Sequence, residues 1–378
     1  MKYLFIIQGE GRGHMTQAIS LRNRLISAGH NVPSVIVGKS IRREIPAFFY
    51  SKIEASVHLV ESPNFVMDKN NKRINIGKTI FYNLFYTRKY IKSLRVINKI
   101  VKTEKPDVII NFYDLLGGLF YLFYNPPIPY QCIGHQYLLS HPDFQFPKGH
   151  KIDKLLFKIN TNITSFRADK LLALSFRRMP NIPEKKIYVV PPLLRKTVLN
   201  LKSTNDGFIH GYMLNPGYAN EIIEWHNKNQ EIETHFFWDK KDAQEEMVIH
   251  KNLVFHKIND VKFLDYMSRC SGYASTAGFE SLCEAMYLNK PVMMIPTAGH
   301  FEQKCNALDA SLSGAGLISE EFDLDKLIKY IPNHKTDPSI FQRWVESASG
   351  IFLSHLTPVF NYKSQRKTEI GSTLSVKI

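Results

Sequence analysis

Short apolar runs alternate with longer stretches whose apolar positions recur every three or four residues, the signature of strands alternating with helices. YLFII (3–7) predicts a first strand, residues 16–28 a helix closed by Gly29, and VPSVIV (32–37) a second strand. Two helical stretches follow, including 91–101, where Ile91, Leu94, Ile97 and Val101 mark one face. PDVIINF (106–112), PIPYQCIG (127–134), ADKLLALS (168–175) and KIYVVPP (186–192) complete the strands of the first half. Strands separated by helices imply a parallel sheet.

The pattern restarts after a polar linker at 196–207. GFIHGYML (207–214), THFFWD (234–239), NLVFHKI (252–258), GYAS (272–275) and PVMMIP (291–296) read as strands, with helices expected at 217–227, 261–268 and about 278–288. The expected fold is therefore α/β: two doubly wound Rossmann-like domains, 1–195 and 208–340, facing across a cleft. A ligand belongs at the carboxyl ends of their strands. Residues 341–360 read as a helix crossing back to the first domain, and 361–378 as a polar tail.

Composition narrows the class. At 378 residues, 44% hydrophobic and 22% charged, the chain has material for two cores. Cys132, Cys270, Cys283 and Cys305 are far apart and form no CxxC pair. That argues against a zinc ribbon or a disulfide framework and predicts a reducing, cytoplasmic setting. KYLFIIQ is too short for a signal peptide, and LLGGLFYLFY (115–124) is about half a membrane span.

The net charge of +15 is uneven: from Lys69 to Lys105 eleven Lys/Arg face one acid, Glu104, with Phe81, Tyr82, Phe85, Tyr86 and Tyr90 interleaved. Such a run is either a solvated helix face or a peripheral contact with an anionic membrane, on the inner face of the membrane for a cytoplasmic protein. No nucleic-acid motif accompanies it, so nucleic acid is not an expected partner.

QGEGRGHMTQA (8–18) looks like a phosphate loop but fails the test: Gly9, Gly11 and Gly13 do not make G-x-G-x-x-G, and no acid ends the second strand. Gly38-Lys39-Ser40 fails as well, because Pro33 stands where a P-loop needs its first glycine. The better cradle is STAGFESLCEAMYLNKPVMMIPTAGHFEQKCNA, 275–307. A turn at Ala277-Gly278 opens a helix whose first amides can hold phosphate. Ser281 adds a hydroxyl, Glu284 suits two ribose hydroxyls, and Glu302 and Gln303 arrive where sugar hydroxyls would lie.

This stretch resembles the donor signature of inverting GT-B glycosyltransferases, which include UDP-glycosyltransferases and the bacterial enzyme adding N-acetylglucosamine to a lipid-linked precursor. The matching positions are Gly278, Ser281, Glu284-Ala285, Pro291, Pro296, Glu302-Gln303 and Asn306-Ala307. Two positions depart: Thr276 and Glu280 stand where many such enzymes carry histidine and asparagine. The gap from Pro296 to Gln303 is also longer than in the plant-type signature.

The resemblance implies a metal-independent transfer, without a cofactor, from a nucleotide-sugar to a hydroxyl acceptor, a glycan or lipid-linked precursor. Donor contacts would come from Thr276, Gly278, Ser281, Glu284, Glu302, Gln303, Asn306 and backbone groups near Lys257-Ile258. His14 would be the general base, oriented by Asp114, with Glu10 as runner-up. Asp114 is equally readable as a helix N-cap, and His14 as a cap near Thr16. Gly11, Gly13 and His135 fall on the acceptor side. His135 and His141 have no third partner in the sequence and are not expected to hold a metal. Two alternatives stand beside this reading: a sugar-nucleotide 2-epimerase, which would need catalytic acids in the cleft, and a catalytically silent sugar-nucleotide-binding subunit.

Overall fold

A computed structural model describes residues 1–39, 44–63, 76–214, 216–238, 240 and 243–357. The first sheet contains β1 (Lys2–Gln8), β2 (Asn31–Lys39), β3 (Ser56–Glu61), β4 (Val108–Phe112), β5 (Tyr130–Gly134), β6 (Lys170–Leu174) and β7 (Ile187–Val190). Its order is β3-β2-β1-β4-β5-β6-β7, and every pairing is parallel. The second sheet contains β8 (Ile209–Met213), β9 (Thr234–Trp238), β10 (Glu246–His250), β11 (Leu253–Lys257), β12 (Gly272–Ser275), β13 (Val292–Met294) and β14 (Gly316–Ile318). Its order is β10-β11-β9-β8-β12-β13-β14. Only β10 runs antiparallel. The patterning missed β3, β10 and β14, short strands at the sheet edges where burial leaves little apolar signature.

In the first half, α1 (Arg12–Ser27) and α2 (Ala47–Ile53) pack together. A second layer follows the chain through α3 (Ile76–Phe85), α4 (Thr87–Glu104), α5 (Leu115–Phe123) and α6 (Lys151–Thr164). The sequence places α1 too late, because the helix begins at Arg12 directly after an extended Gly11. On α4 the buried face is Tyr90, Leu94, Ile97, Ile100 and Val101, whereas Ile91 faces outward, 45% exposed. The glycine pair inside α5 serves packing: a Cβ on Gly118 would stand 1.6 Å from the carbonyl oxygen of Ile163 on α6.

Beyond β7 lie α7 (Lys196–Leu199), α8 (Ala219–Asn227), α9 (Asp260–Arg269), α10 (Phe279–Tyr287), α11 (Phe301–Leu312), α12 (Leu324–Tyr330), α13 (Pro338–Glu346) and α14 (Ala348–Leu356). The stretch expected as a linker carries α7 and then runs along the second sheet's flank, with Ser203 Oγ donating to Leu288 O at 2.8 Å. The last two helices return to the first half. Trp344 Nε1 donates to Ser175 O at 2.9 Å, and Tyr3 Oη to Leu356 O at 3.2 Å. One hydrophobic core joins the first sheet to α10, α11, α13 and α14. Residues 358–378, including the expected polar tail, lie outside the described residues.

Candidate active site

Strand order reverses between β1 and β4 in one sheet and between β8 and β12 in the other. Between the carboxyl ends of the two sheets lies a cavity of about 860 Å³, walled by α1, α10 and α11 among other elements. Two helices open onto it from glycine N-caps without side-chain caps, Gly11 for α1 and Gly278 for α10. The dipoles of both helices favour an anion at these N-termini.

Gly11 and Gly13 line the cavity, and neither has a positive φ. Their value is low profile: a Cβ on Gly11 or Gly13 would only reach ordinary contact, 3.5 Å from His14 Cδ2 and Glu280 Cβ respectively. The sterically demanding member of the loop is Gly9, whose Cβ would fall 2.6 Å from Gly38 O.

His14 sits in the first turn of α1, on the cavity wall and nearly buried. Its ring lies parallel to that of Tyr113, with centroids 6.0 Å apart. Nε2 is 3.4 Å from Gln136 Nε2, and Nδ1 has no hydrogen-bond partner among the described residues. Burial pushes its pKa down to about 4, so the imidazole is neutral and able to accept a proton.

Asp114 is not joined to it. Asp114 caps α5: Oδ1 accepts from Leu116 N at 2.8 Å and from Ser62 Oγ at 2.9 Å. Oδ2 has no partner among the described residues, and burial pushes the carboxyl up to about 6. Its neighbours Tyr113 and Leu115 line the cavity, as does Glu10, while Asp114 lies behind the wall.

Of the residues expected to contact a donor, Gly278, Ser281, Glu284, Glu302, Gln303, Asn306 and Ile258 all line the cavity. Thr276 is buried behind the turn, its amide on Tyr212 O at 3.3 Å. Ser281 Oγ donates back to Gly278 O at 3.3 Å, and Asn306 Nδ2 to Ala277 O at 3.0 Å, which ties α11 to the turn before α10. Gln303 Oε1 accepts from Thr297 N at 2.8 Å. Glu284 takes both Nε (2.7 Å) and Nη2 (2.6 Å) of Arg195 on its Oε1.

Glu280, the odd anion of the motif, points toward α1: its Oε2 accepts from Gln17 Nε2 at 3.1 Å. Burial, with Glu284 nearby, pushes it up to about 8, so at neutral pH it is largely an uncharged acid in the first turn of α10. Glu302 Oε1 accepts from Gln136 Nε2 at 2.9 Å, and burial pushes this carboxyl up to about 7.

His135 lies in the wall but bridges the two halves. Its ring stacks on Phe279 at 4.3 Å, Nδ1 bonds Leu174 O at 2.8 Å, and Nε2 is 3.7 Å from Asp309 Oδ2. His141 is buried on Pro180 O at 2.9 Å. Among the described residues no group of three or more His, Cys, Asp or Glu side chains is placed to hold a metal ion.

Gln136, Arg195 and Gln17 escaped the sequence reading. The two glutamines do not titrate and belong to no motif. Arg195 ends the first half, at the edge of a stretch that reads as linker. Position gave a signal for both glutamines, since Gln136 adjoins His135 and Gln17 lies in QGEGRGHMTQA.

Two doubly wound sheets with a cavity at their facing carboxyl ends and a helix N-terminus from each half are the architecture of the GT-B fold. The family model for Glycosyl transferase family 1 matches residues 1–333, and the chain belongs to that family. Among curated relatives, an uncharacterized glycosyltransferase of Methanosarcina mazei is 23% identical, covering 84% of this chain and 85% of its own. The UDP-N-acetylglucosamine--N-acetylmuramyl-(pentapeptide) pyrophosphoryl-undecaprenol N-acetylglucosamine transferase of Rickettsia canadensis is 25% identical over 89% of this chain and 92% of its own.

Solved structures agree on the fold. The kitacinnamycin glycotransferase superposes with a TM-score of 0.62 at 15% identity, covering 94% of this chain and 99% of its own. Phytolacca americana UGT2, complexed with UDP-2fluoro-glucose and pterostilbene, gives 0.62 at 12% identity over 94% and 98%.

Proposed function

We propose that this glycosyltransferase is inverting and metal-independent, moving a sugar from a UDP-sugar to a hydroxyl on a lipid-linked or cell-surface glycan precursor. The observation that carries the proposal is the opposition of His14 on α1 to the open N-terminus of α10 across one cavity. His14 takes the proton of the acceptor hydroxyl as its oxygen attacks the anomeric carbon. The bond from that carbon to the diphosphate breaks, and the diphosphate leaves with the electron pair. The α10 amides stabilise the charge it carries away. Ser281, Glu284, Gln303, Asn306 and the backbone at Ile258 frame the nucleotide and sugar.

His14→Ala should lower kcat by about 10²–10⁴-fold while the affinity for UDP, by calorimetry, stays within about twofold. Loss of UDP binding together with activity would overturn this division of labour. A thermal-shift series with UDP, GDP, dTDP and CDP sugars identifies the base, and the anomeric configuration of the product by NMR tests inversion.

The epimerase alternative has one feature in its favour: among the acids of the cavity wall, burial pushes Glu280 up to about 8 and Glu302 up to about 7. Family membership weighs toward transfer. A UDP-sugar incubated without acceptor separates the two, because only an epimerase converts it.

The acceptor reading draws on the outer helices. Phe81, Leu84 and Phe85 on α3, Leu122 and Phe123 on α5, and Ile152, Leu155 and Ile159 on α6 are exposed. Of the basic run, Arg88, Lys89, Lys92, Arg95, Lys99 and Lys102 are exposed on α4, while Lys69, Lys72 and Arg73 lie outside the described residues. Leu84, Leu156, Ile159 and Ile163 also line the cavity, so an apolar path leads from this face to His14. Apolar and basic side chains together suit peripheral contact with an anionic membrane, from the cytoplasmic side. No described helix is long and apolar enough to cross a membrane.

A further inference from the structure

Three side chains from separate segments meet on the cavity wall: His14 on α1, Gln136 in the turn His135–Ser140 after β5, and Glu302 in the first turn of α11. Gln136 Nε2 reaches both others, Glu302 Oε1 at 2.9 Å and His14 Nε2 at 3.4 Å. The turn is shaped around this amide. A Cβ on Gly134 would stand 2.6 Å from Gln136 Oε1, so a glycine lets the side chain fold back to the cavity. Gln136 itself is buried.

Transfer creates a need that this arrangement meets. When His14 takes the acceptor proton, an imidazolium forms in a buried place, where a cation without a counter-charge is costly. The carboxylate expected beside it, Asp114, lies behind the wall, with Oδ1 on Leu116 N and Ser62 Oγ and Oδ2 against Gly38 rather than on the imidazole. Two carboxylates from the other half approach His14 through a single amide, Glu280 through Gln17 and Glu302 through Gln136, and of the two Glu302 is the more readily ionised at neutral pH.

We propose that Glu302 supplies the counter-charge for His14 during transfer, and that Gln136 is the positioning residue that holds this carboxylate beside the base. This rests on the reading of His14 as the base. The hydroxyl oxygen bonds to the anomeric carbon, the carbon–diphosphate bond breaks, and the proton moves to His14 Nε2, displacing the long contact from Gln136. Glu302 stays ionised throughout, and His14 returns the proton to solvent after the products leave. The acceptor-side base is then complete only when the donor-side domain faces it. This ties deprotonation to a closed cleft and guards against activating the acceptor alone.

The ionised form of Glu302 predominates above about pH 7. Of the groups facing it, Tyr113 after β4 and Cys305 on α11 are pushed by burial far above neutral and stay uncharged, and His14 titrates at about 4. Glu280, which titrates at about 8, faces the same cavity from α10.

The test is the pH dependence of kcat at saturating donor and acceptor, with UDP affinity as the folding control. Wild type should lose rate below about pH 7. Glu302→Gln should remove that limb and lower kcat about 10²-fold, with donor KM within about threefold. Gln136→Ala should lower kcat and displace the limb, whereas Asp114→Asn and Glu280→Gln should keep it. A Glu302→Gln enzyme with wild-type kcat and a raised donor KM overturns the inference, as does loss of the limb in Asp114→Asn or Glu280→Gln. His14→Ala identifies which idea has failed. Wild-type kcat in that variant overturns the base assignment itself, whereas collapse there with an unaltered limb in Glu302→Gln overturns only the role of Glu302.

Discussion

Gly38 sits where two readings of Asp114 meet. A Cβ there would fall 1.9 Å from Asp114 Oδ2 and 2.7 Å from Ser62 Cβ, so the end of β2 and the cap of α5 fit only around a glycine. Gly38→Ala should push Asp114 away from Ser62 and cost about 1–3 kcal/mol, as overpacking generally does. Equilibrium urea denaturation measures this, and a loss under about 0.5 kcal/mol would mean that the pair gives way freely. Titratable residues at motif positions were legible in the sequence: His14, Glu284, Glu302 and Asp114 all announce chemistry by type. Their partners were not. Arg195 on Glu284, Gln17 on Glu280 and Gln136 on Glu302 come from 89, 263 and 166 positions away, and no spacing rule reaches that far.

The helices divide into those whose faces follow from periodicity and those whose role depends on neighbours. The buried stripe of α4 was mostly readable, and its outer face is the solvated, basic one. On α6 the exposed Ile152 and Leu155 alternate with Lys151, Lys154 and Lys158, an arrangement suited to entering a headgroup layer. Wild-type protein should cosediment with vesicles containing anionic lipid and bind more weakly as salt rises. Ile152→Ser with Leu155→Ser should cut that binding about tenfold while leaving the rate on a water-soluble acceptor unchanged, since neither residue lines the cavity. Equal binding to neutral and anionic vesicles would sink the proposal. The short apolar run at 115–124 looked lipid-like, yet its glycines serve packing: Gly118 lets α5 and α6 touch, and Gly117 makes room for Asn111 and Tyr130.

Across the whole molecule, α13 acts as a strap. Trp344 hydrogen-bonds Ser175 after β6 in the first half, while Gln342 Nε2 donates to Tyr287 O on α10 in the second at 2.9 Å. Trp344→Ala should cost about 3–5 kcal/mol through the cavity it leaves, with Ser175 O losing its donor as well. Differential scanning calorimetry should then resolve the two halves as separate transitions where the wild type melts as one. A single transition with an unchanged Tm would show that α13 does not couple them.

The sequence by itself determined two α/β halves, a helix opened by the turn at Gly278, and a histidine after the first strand, because strand length, helix period and glycine turns are local properties of the chain. Only the tertiary structure decided which acids face which partners. Asp114 turned to its own helix cap, Glu280 turned to α1, and Glu302 reached Gln136. Burial and the approach of two domains set those choices, and both are decided by residues far apart in the chain. A carboxylate's neighbours and its proton affinity are properties of the assembled cavity rather than of any stretch that can be read along the sequence.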